Sequence, residues 1–473
     1  MIITKKKKWL GTFQLIMFAV VSVDSLRNLP IGAQYGLSLV TFYSFAGLAF
    51  FLPLVWVASQ LTVKFPNVGG SYLWIQEAFG ETWGCLSIWL QWTYNIIWYP
   101  TIFAFITSTL ISLISPELGT NKFILLSSCA GLFWLITFIH SFGIKASSWF
   151  SAISAIVGTL LPMTLIIVFA IYWMLSGSPS ATPLTIQGLL PGKETLKNLA
   201  YFSNILFSLL GLEVIAMHAG NVANPKKSYP RAFFISAIII LTTLILSSLA
   251  LCIVIPPGKI MLLSGMMDVF NLFFATHHFP YGATIIGWCI VIGGLGIASS
   301  WMIGLARGLH TALTSANVFK ALHPLNSNGV AINVLCFQGV VYTLLLSAFL
   351  LLPNINSSYW LLSALSAQFS LIYYVLLFSA AFKLFRSTQQ LQTFLSKAMP
   401  ISAGIVSLMG IAVGFIPPTD ISQDNILSYE FFMISSLFIF CIIPFFVLKI
   451  KTRKKYAWNL DSSKQMDSEA EAK

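Results

Sequence analysis

Asp24-Ser25-Leu26-Arg27-Asn28-Leu29-Pro30 interrupts an apolar run that begins at Trp9, and Ser208-Leu209-Leu210-Gly211-Leu212-Glu213 interrupts another much further along the chain. Pro30 lacks a backbone donor and Gly211 weakens the helix of its own run. Asp24, Arg27 and Glu213 are charges inside stretches that are otherwise apolar. In lipid, irregular backbone and charged side chains survive only where they are packed in protein or line a wet cavity. If the surrounding runs cross a membrane, these two breaks mark its functional interior.

Composition says that they do. Of 473 residues, 57% are apolar and 8% are charged, whereas a soluble domain carries about 25% charged residues. The stretches 82–116, 146–192, 232–258, 281–306, 321–382 and 398–419 contain no Asp, Glu, Lys or Arg. One spanning helix needs about 20 such residues. The expected spans are 9–31, 39–61, 86–113, 123–140, 150–175, 197–217, 232–255, 281–306, 330–352, 358–382, 400–417 and 428–449, twelve in all. The fold class is all-α integral membrane protein. The amphipathic stretch 68–79, with Tyr72, Trp74 and Phe79, reads as an interfacial helix and not a further span.

The excess of Lys and Arg, a net charge of +12, lies between the runs and forms no single basic face. That pattern excludes nucleic acid as a partner and fits the positive-inside rule. With both termini inside, nineteen Lys and Arg fall in cytoplasmic segments: Lys5, Lys6, Lys7, Lys8, Lys64, Lys145, Lys226, Lys227, Arg231, Arg307, Lys320, Lys383, Arg386, Lys397, Lys449, Lys451, Arg453, Lys454 and Lys455. Only Lys122, Lys193, Lys197 and Lys259 fall outside. The setting expected is a cell inner membrane, with 1–8 as a basic cytoplasmic terminus and 451–473 as a short polar tail. Six cysteines stand singly with no C-x-x-C pair, so no disulfide framework and no metal site is indicated.

Two broken helices five spans apart are what an inverted five-helix repeat would give, with 9–175 as one repeat, 197–382 as the other and 400–450 outside both. Half-helix ends then meet near the midplane, where backbone donors suit a carboxylate and free carbonyls suit an ammonium. The candidates for substrate binding are Asp24, Ser25, Arg27 and Asn28 in the first break, Ser208 and Gly211 in the second, and Trp301 and Tyr373 on later spans. Asp24 and Arg27 have a second reading as an ion pair on one helical face. Trp301, Tyr373 and Tyr374 have a second reading as aromatic packing. Pro30, Glu213 and His218 are structural or gating candidates: Glu213 can satisfy amide donors at its break or a neighbouring helix, and His218, like His310, His277 and His278, can titrate between pH 5 and 8. H-E-x-x-H, G-x-S-x-G and Walker A patterns are all absent, so the chain reads as no enzyme, with no cofactor, and transport would run on gradients or exchange.

Gly211-Leu212-Glu213, then Asn224-Pro225-Lys226 and Tyr229-Pro230-Arg231-Ala232, resembles the sixth-helix signature of the amino acid–polyamine–organocation permeases, and Val68-Gly69-Gly70-Ser71-Tyr72-Leu73-Trp74 resembles their first cytoplasmic loop. Ser300-Trp301-Met302-Ile303-Gly304 with Arg307-Gly308, Asn328-Gly329-Val330 and Phe415-Ile416-Pro417-Pro418 look most like the bacterial glutamate/GABA antiporters. The resemblance covers 9–450. It implies a LeuT-type fold with two C-terminal helices added, amino acid exchange by alternating access, and a site between spans one, six, eight and ten. A homodimer is compatible with it. The chain departs from those relatives where Asp24–Asn28 replaces a small-residue triplet, where Ile297 stands in place of an acid, and in a tail too short for a C-terminal plug.

Overall fold

The structure, a computed structural model, describes residues 11–65, 70–115, 118, 121–143, 153–192, 199–222, 224–276, 278–279, 281–316, 318–351, 355–387, 393–417 and 429–444. Among these residues the regular structure is helical. Among the described residues nine helices are long and apolar enough to cross a bilayer: Thr12–Ala33 (span 1), Gly36–Lys64 (span 2), Glu81–Ile114 (span 3), Lys122–Ser141 (span 4), Ile153–Leu175 (span 5), Pro225–Val254 (span 7), Gly282–Thr314 (span 8), Ile355–Ser387 (span 10) and Phe394–Val413 (span 11). Three shorter apolar helices, Tyr201–Ala216 (span 6), Ile332–Leu346 (span 9) and Tyr429–Pro444 (span 12), occupy the remaining expected places. The N-terminal lysines and the polar tail lie outside the described residues.

Spans 3, 8 and 10 run further than their apolar cores, because turns holding Glu81, Arg307, Lys383 and Arg386 continue the helix past the hydrocarbon. Span 7 starts at Pro225 and not at 232. A proline in the first turn has no N–H to leave unpaired, so the basic turn after it can still be helical. Large apolar side chains, among them Phe123, Leu175 and Phe394, stand exposed on the outside of the bundle. In water such a surface would aggregate; in lipid it is solvated.

Spans 1, 3 and 10 are mostly buried, while spans 4 and 11 are mostly exposed. Span 3 packs along both span 8 and span 10, which makes it the spine of the bundle. Spans 5 and 8 cross at Gly158 and Gly293, where a Cβ on either glycine would collide with the other's backbone. Backbones meet that closely only through small residues.

The expected interfacial helix begins at Ser71 and ends at Phe79; residues 68 and 69 lie outside the described residues. Its aromatic side chains do not share one environment: Tyr72 and Phe79 are half-buried. Trp74 is 1% exposed, turned into the protein, and the helix packs on spans 3 and 10. The helix Gly265–Thr276 before span 8 was not expected. Its apolar face, including Phe270, Phe273 and Phe274, closes over Phe169 of span 5, with Phe169 and Phe273 stacked at 4.0 Å.

Both breaks are present. In span 1 the first half-helix ends at Val23, Asp24 and Ser25 are extended, Leu26–Asn28 forms one tight turn, and the helix resumes at Leu29 with Pro30 in its first turn. In span 6 the helix Tyr201–Ser208 stops, Gly211 takes φ +105°, and a 3-10 segment runs from Leu212 to Asn221. The two breaks touch: a Cβ on Gly211 would lie 2.9 Å from the Ser22 carbonyl oxygen and 3.0 Å from the Trp301 ring.

Candidate functional site

Arg27 is 1% exposed and its guanidinium sits between spans. Nη1 donates to Thr101 Oγ1 at 2.9 Å, to Ser363 Oγ at 3.3 Å and to Tyr359 Oη at 3.5 Å, and Nη2 donates to Asn28 Oδ1 at 3.0 Å. The rings of Trp98, Phe207 and Tyr359 surround it at 5.7, 5.7 and 5.8 Å. Each ring is worth about 0.5–2 kcal/mol to a cation. None of these partners is an anion, so the charge is solvated by the protein without being neutralised.

Asp24 and Arg27 are therefore not the ion pair that their spacing allows. The pairing needs a continuous helix to put i and i+3 on one face, and the backbone between them is extended. The carboxylate of Asp24, fully buried, turns to span 7 and accepts from Thr243 Oγ1 at 2.6 Å. Its Oδ1 has no hydrogen-bond partner.

Where the breaks meet, a cavity of about 40 Å³ is lined by Ser25, Arg27, Asn28, Gly211 and Trp301, together with Val21, Ser22, Val23, Tyr94, Asn95, Trp98, Phe207, Leu210 and Ile297. Five of the eight expected binding residues are thus brought together. Asp24, Ser208 and Tyr373 are not among the lining residues. Ser208 Oγ donates back to the Ile205 carbonyl at 2.7 Å. Tyr373 Oη donates to Ser71 Oγ at 2.5 Å and accepts from Gln91 at 2.9 Å, tying span 10 to span 3 and the helix at 71–79. Neighbouring residues of a helix point about 100° apart, and it is Tyr374 that faces span 6. Its hydroxyl donates to Glu213 Oε2 at 2.6 Å and accepts from the Gly211 N–H at 3.0 Å.

Pro30 is buried in the resumed half of span 1. The backbone at His218 belongs to the 3-10 segment, while its side chain lies outside the described residues, as does His277. His310 is remote from the central cavity, with Nε2 2.9 Å from the His323 carbonyl oxygen. Tyr94, Asn95 and Trp98 of span 3 are not among the residues expected from the sequence, because span 3 carries neither a charge nor a break to point to them. The cluster Tyr94-Asn95-Ile96-Ile97-Trp98-Tyr99-Pro100 in the middle of an uncharged run was the available sign.

Two broken helices of a multi-span bundle meet at a small cavity where Ser25, Arg27 and Asn28 stand among aromatic and aliphatic side chains, an arrangement suited to membrane transport. The family model "Amino acid permease" matches residues 10–447. The chain belongs to that family, within the amino acid–polyamine–organocation superfamily. It is 43% identical over 451 residues to a transporter of Legionella pneumophila subsp. pneumophila described as uncharacterized, covering 94% of this chain and 97% of that one. It is 25% identical over 463 residues to the glutamate/gamma-aminobutyrate antiporter of Lactococcus lactis subsp. lactis, covering 95% and 92%. A further chain of that organism, named "Probable agmatine/putrescine antiporter", is 27% identical over 339 residues, or 71% of each.

Proposed function

We propose that this permease exchanges amino acids across a bacterial inner membrane by alternating access, with both termini cytoplasmic. In this reading 9–175 and 197–382 are inverted repeats of LeuT type, 400–450 adds two helices, and two copies can pair. The observation that carries the proposal is Arg27, a buried cation at the meeting point of two broken helices with no anion beside it. A substrate carboxylate would neutralise it. An ammonium would find the last carbonyls of the first half-helix, at Val21, Ser22 and Val23, where no further turn follows. The antiporter names of two relatives support exchange over net uptake.

A cavity of about 40 Å³ holds only a few waters at about 10–15 Å³ each. An amino acid enters once Trp301, Phe207 and Trp98 shift, so these aromatics act as the gate. Counterflow in proteoliposomes tests the mode. An exchanger takes up labelled substrate only when unlabelled substrate is inside, and uptake into empty vesicles under an ion gradient would overturn exchange.

Asp24 favours a second reading, ion-coupled symport. A carboxylate fully buried without a cation is costly unless it holds a proton or a metal ion. If symport is correct, uptake into empty vesicles is driven by a proton or sodium gradient and is lost in Asp24→Asn.

A further inference from the structure

The central cavity carries one charge, and it is positive. Arg27 lines it, and among the described residues no Asp or Glu does. The buried carboxylates of the two breaks are engaged elsewhere, Asp24 with Thr243 of span 7 and Glu213 with Tyr374 of span 10. Every hydrogen-bond partner of the Arg27 guanidinium is a neutral oxygen. An ion that enters therefore meets a cation whose charge nothing in the wall cancels.

The rest of the wall offers contact area and no charge. Ile297 and Trp301 of span 8, Phe207 and Leu210 of span 6 and Trp98 of span 3 line the same space. Two of the polar side chains around it are tied to the backbone of their own helices: Ser22 Oγ donates to the Phe18 carbonyl at 2.7 Å, and Asn95 Nδ2 donates to the Gln91 carbonyl at 2.9 Å. Tyr94, Ser25 and Asn28 are neutral, so they can share a hydrogen bond but cannot balance an ion. Ile297, 5% exposed, brings an aliphatic group to a place where a carboxylate would reverse the balance of the site.

A substrate bound as proposed above spends its α-carboxylate on Arg27 and its ammonium on the carbonyls of residues 21–23. Its side chain is left against rings and aliphatic groups. A second carboxylate there finds Arg27 already taken, and a buried charge without a counter-ion is strongly unfavourable. A second ammonium has no anion to meet and is repelled by Arg27 in a medium of low dielectric. An apolar side chain leaves water and gains contact with the same walls.

We infer that the site selects zwitterions with uncharged, apolar or aromatic side chains, that it rejects diamines and amino acids with charged side chains, and that Ile297 helps to set this preference. The inference rests on the reading of the central cavity as the substrate site. It separates this chain from the relatives named for glutamate and for agmatine and putrescine.

The test reads binding apart from transport. The purified full chain in detergent is melted with leucine, methionine or phenylalanine and, at equal ionic strength, with glutamate, arginine, agmatine or putrescine. Counterflow of the same compounds is then measured in proteoliposomes. The neutral set should stabilise the protein with half-saturation roughly tenfold or more below that of the charged set. Ile297→Glu, which places a carboxylate in the wall, should weaken leucine and admit arginine or agmatine. Ile297→Gln, a neutral change of similar size, should bring glutamine up relative to leucine even where the acid does not fold. Saturable binding of the neutral set without counterflow overturns exchange and leaves this inference standing. Equal or tighter binding of glutamate, arginine, agmatine or putrescine overturns the inference and leaves exchange intact. No binding by any compound removes the substrate site and the inference with it, and folded Ile297 variants that keep the wild-type order overturn the role of Ile297.

Discussion

The hydroxyl of Tyr374 on span 10 donates to the carboxylate of Glu213 at 2.6 Å and at the same time accepts from the Gly211 N–H at 3.0 Å. One phenol therefore satisfies the orphan amide and the buried acid that the break in span 6 creates. Glu213 is fully buried, and its other oxygen, Oε1, has no side-chain or backbone hydrogen bond. Tyr374→Phe strips both groups of their partner and should cost roughly 1–3 kcal/mol of stability. Glu213→Gln keeps an oxygen for the phenol and should cost less. Chemical unfolding in detergent ranks the two; equal losses would mean that the tyrosine is ordinary packing.

Arg27 and Asp24 point to different neighbours, so their neutral variants should separate. Arg27→Ala removes the cation at the cavity and should lower transport roughly tenfold or more at matched membrane expression. Arg27→Lys keeps the charge but cannot reach Thr101, Ser363 and Asn28 together, and should recover only part of it. Asp24→Asn keeps a hydrogen bond from Thr243 and should be milder under exchange. Normal transport by the double variant Asp24→Asn, Arg27→Ala removes the site as drawn.

Gly211 combines φ +105° with a wall of backbone and ring, the Ser22 carbonyl and Trp301. Gly211→Ala should cost about 1–3 kcal/mol in backbone strain alone and push the two breaks apart, with transport lost before expression. Gly304→Ala, where an added Cβ meets nothing within 4 Å, is the matched control and should behave as wild type. Uptake and surface expression measured side by side decide this; equal activity of both variants means that the close approach is dispensable.

Topology follows from the loop charges. On a background without the six native cysteines, a cysteine at Ser180 should react with an impermeant maleimide from outside intact cells, and one at Thr452 should not. Labelling at Thr452 in intact cells inverts the orientation.

Truncation after Ala457 should leave the pH profile of exchange between pH 5 and 8 nearly unchanged, because residues 458–473 are polar and charged and hold no apolar run to fill a vestibule. A truncated chain that alone becomes active at pH 7.5 would show that the tail is a plug.

What the sequence determined by itself was the membrane, the succession of apolar helices and the two breaks. Lipid offers no partner for a charge or a free amide, so charge-free runs have to be helices, and Asp24–Pro30 and Leu209–Glu213 have to be exceptions facing protein. Local chemistry alone fixes these features. Tertiary structure decided which side chains of the exceptions face the cavity. Asp24 and Arg27 part company because two extended residues rotate one toward Thr243 and the other toward Thr101, and no spacing rule contains that rotation. Tyr373 and Tyr374 are adjacent in sequence, yet one ties down the helix at 71–79 and the other holds the break in span 6, since a helix turns about 100° per residue and the neighbours lie far away along the chain.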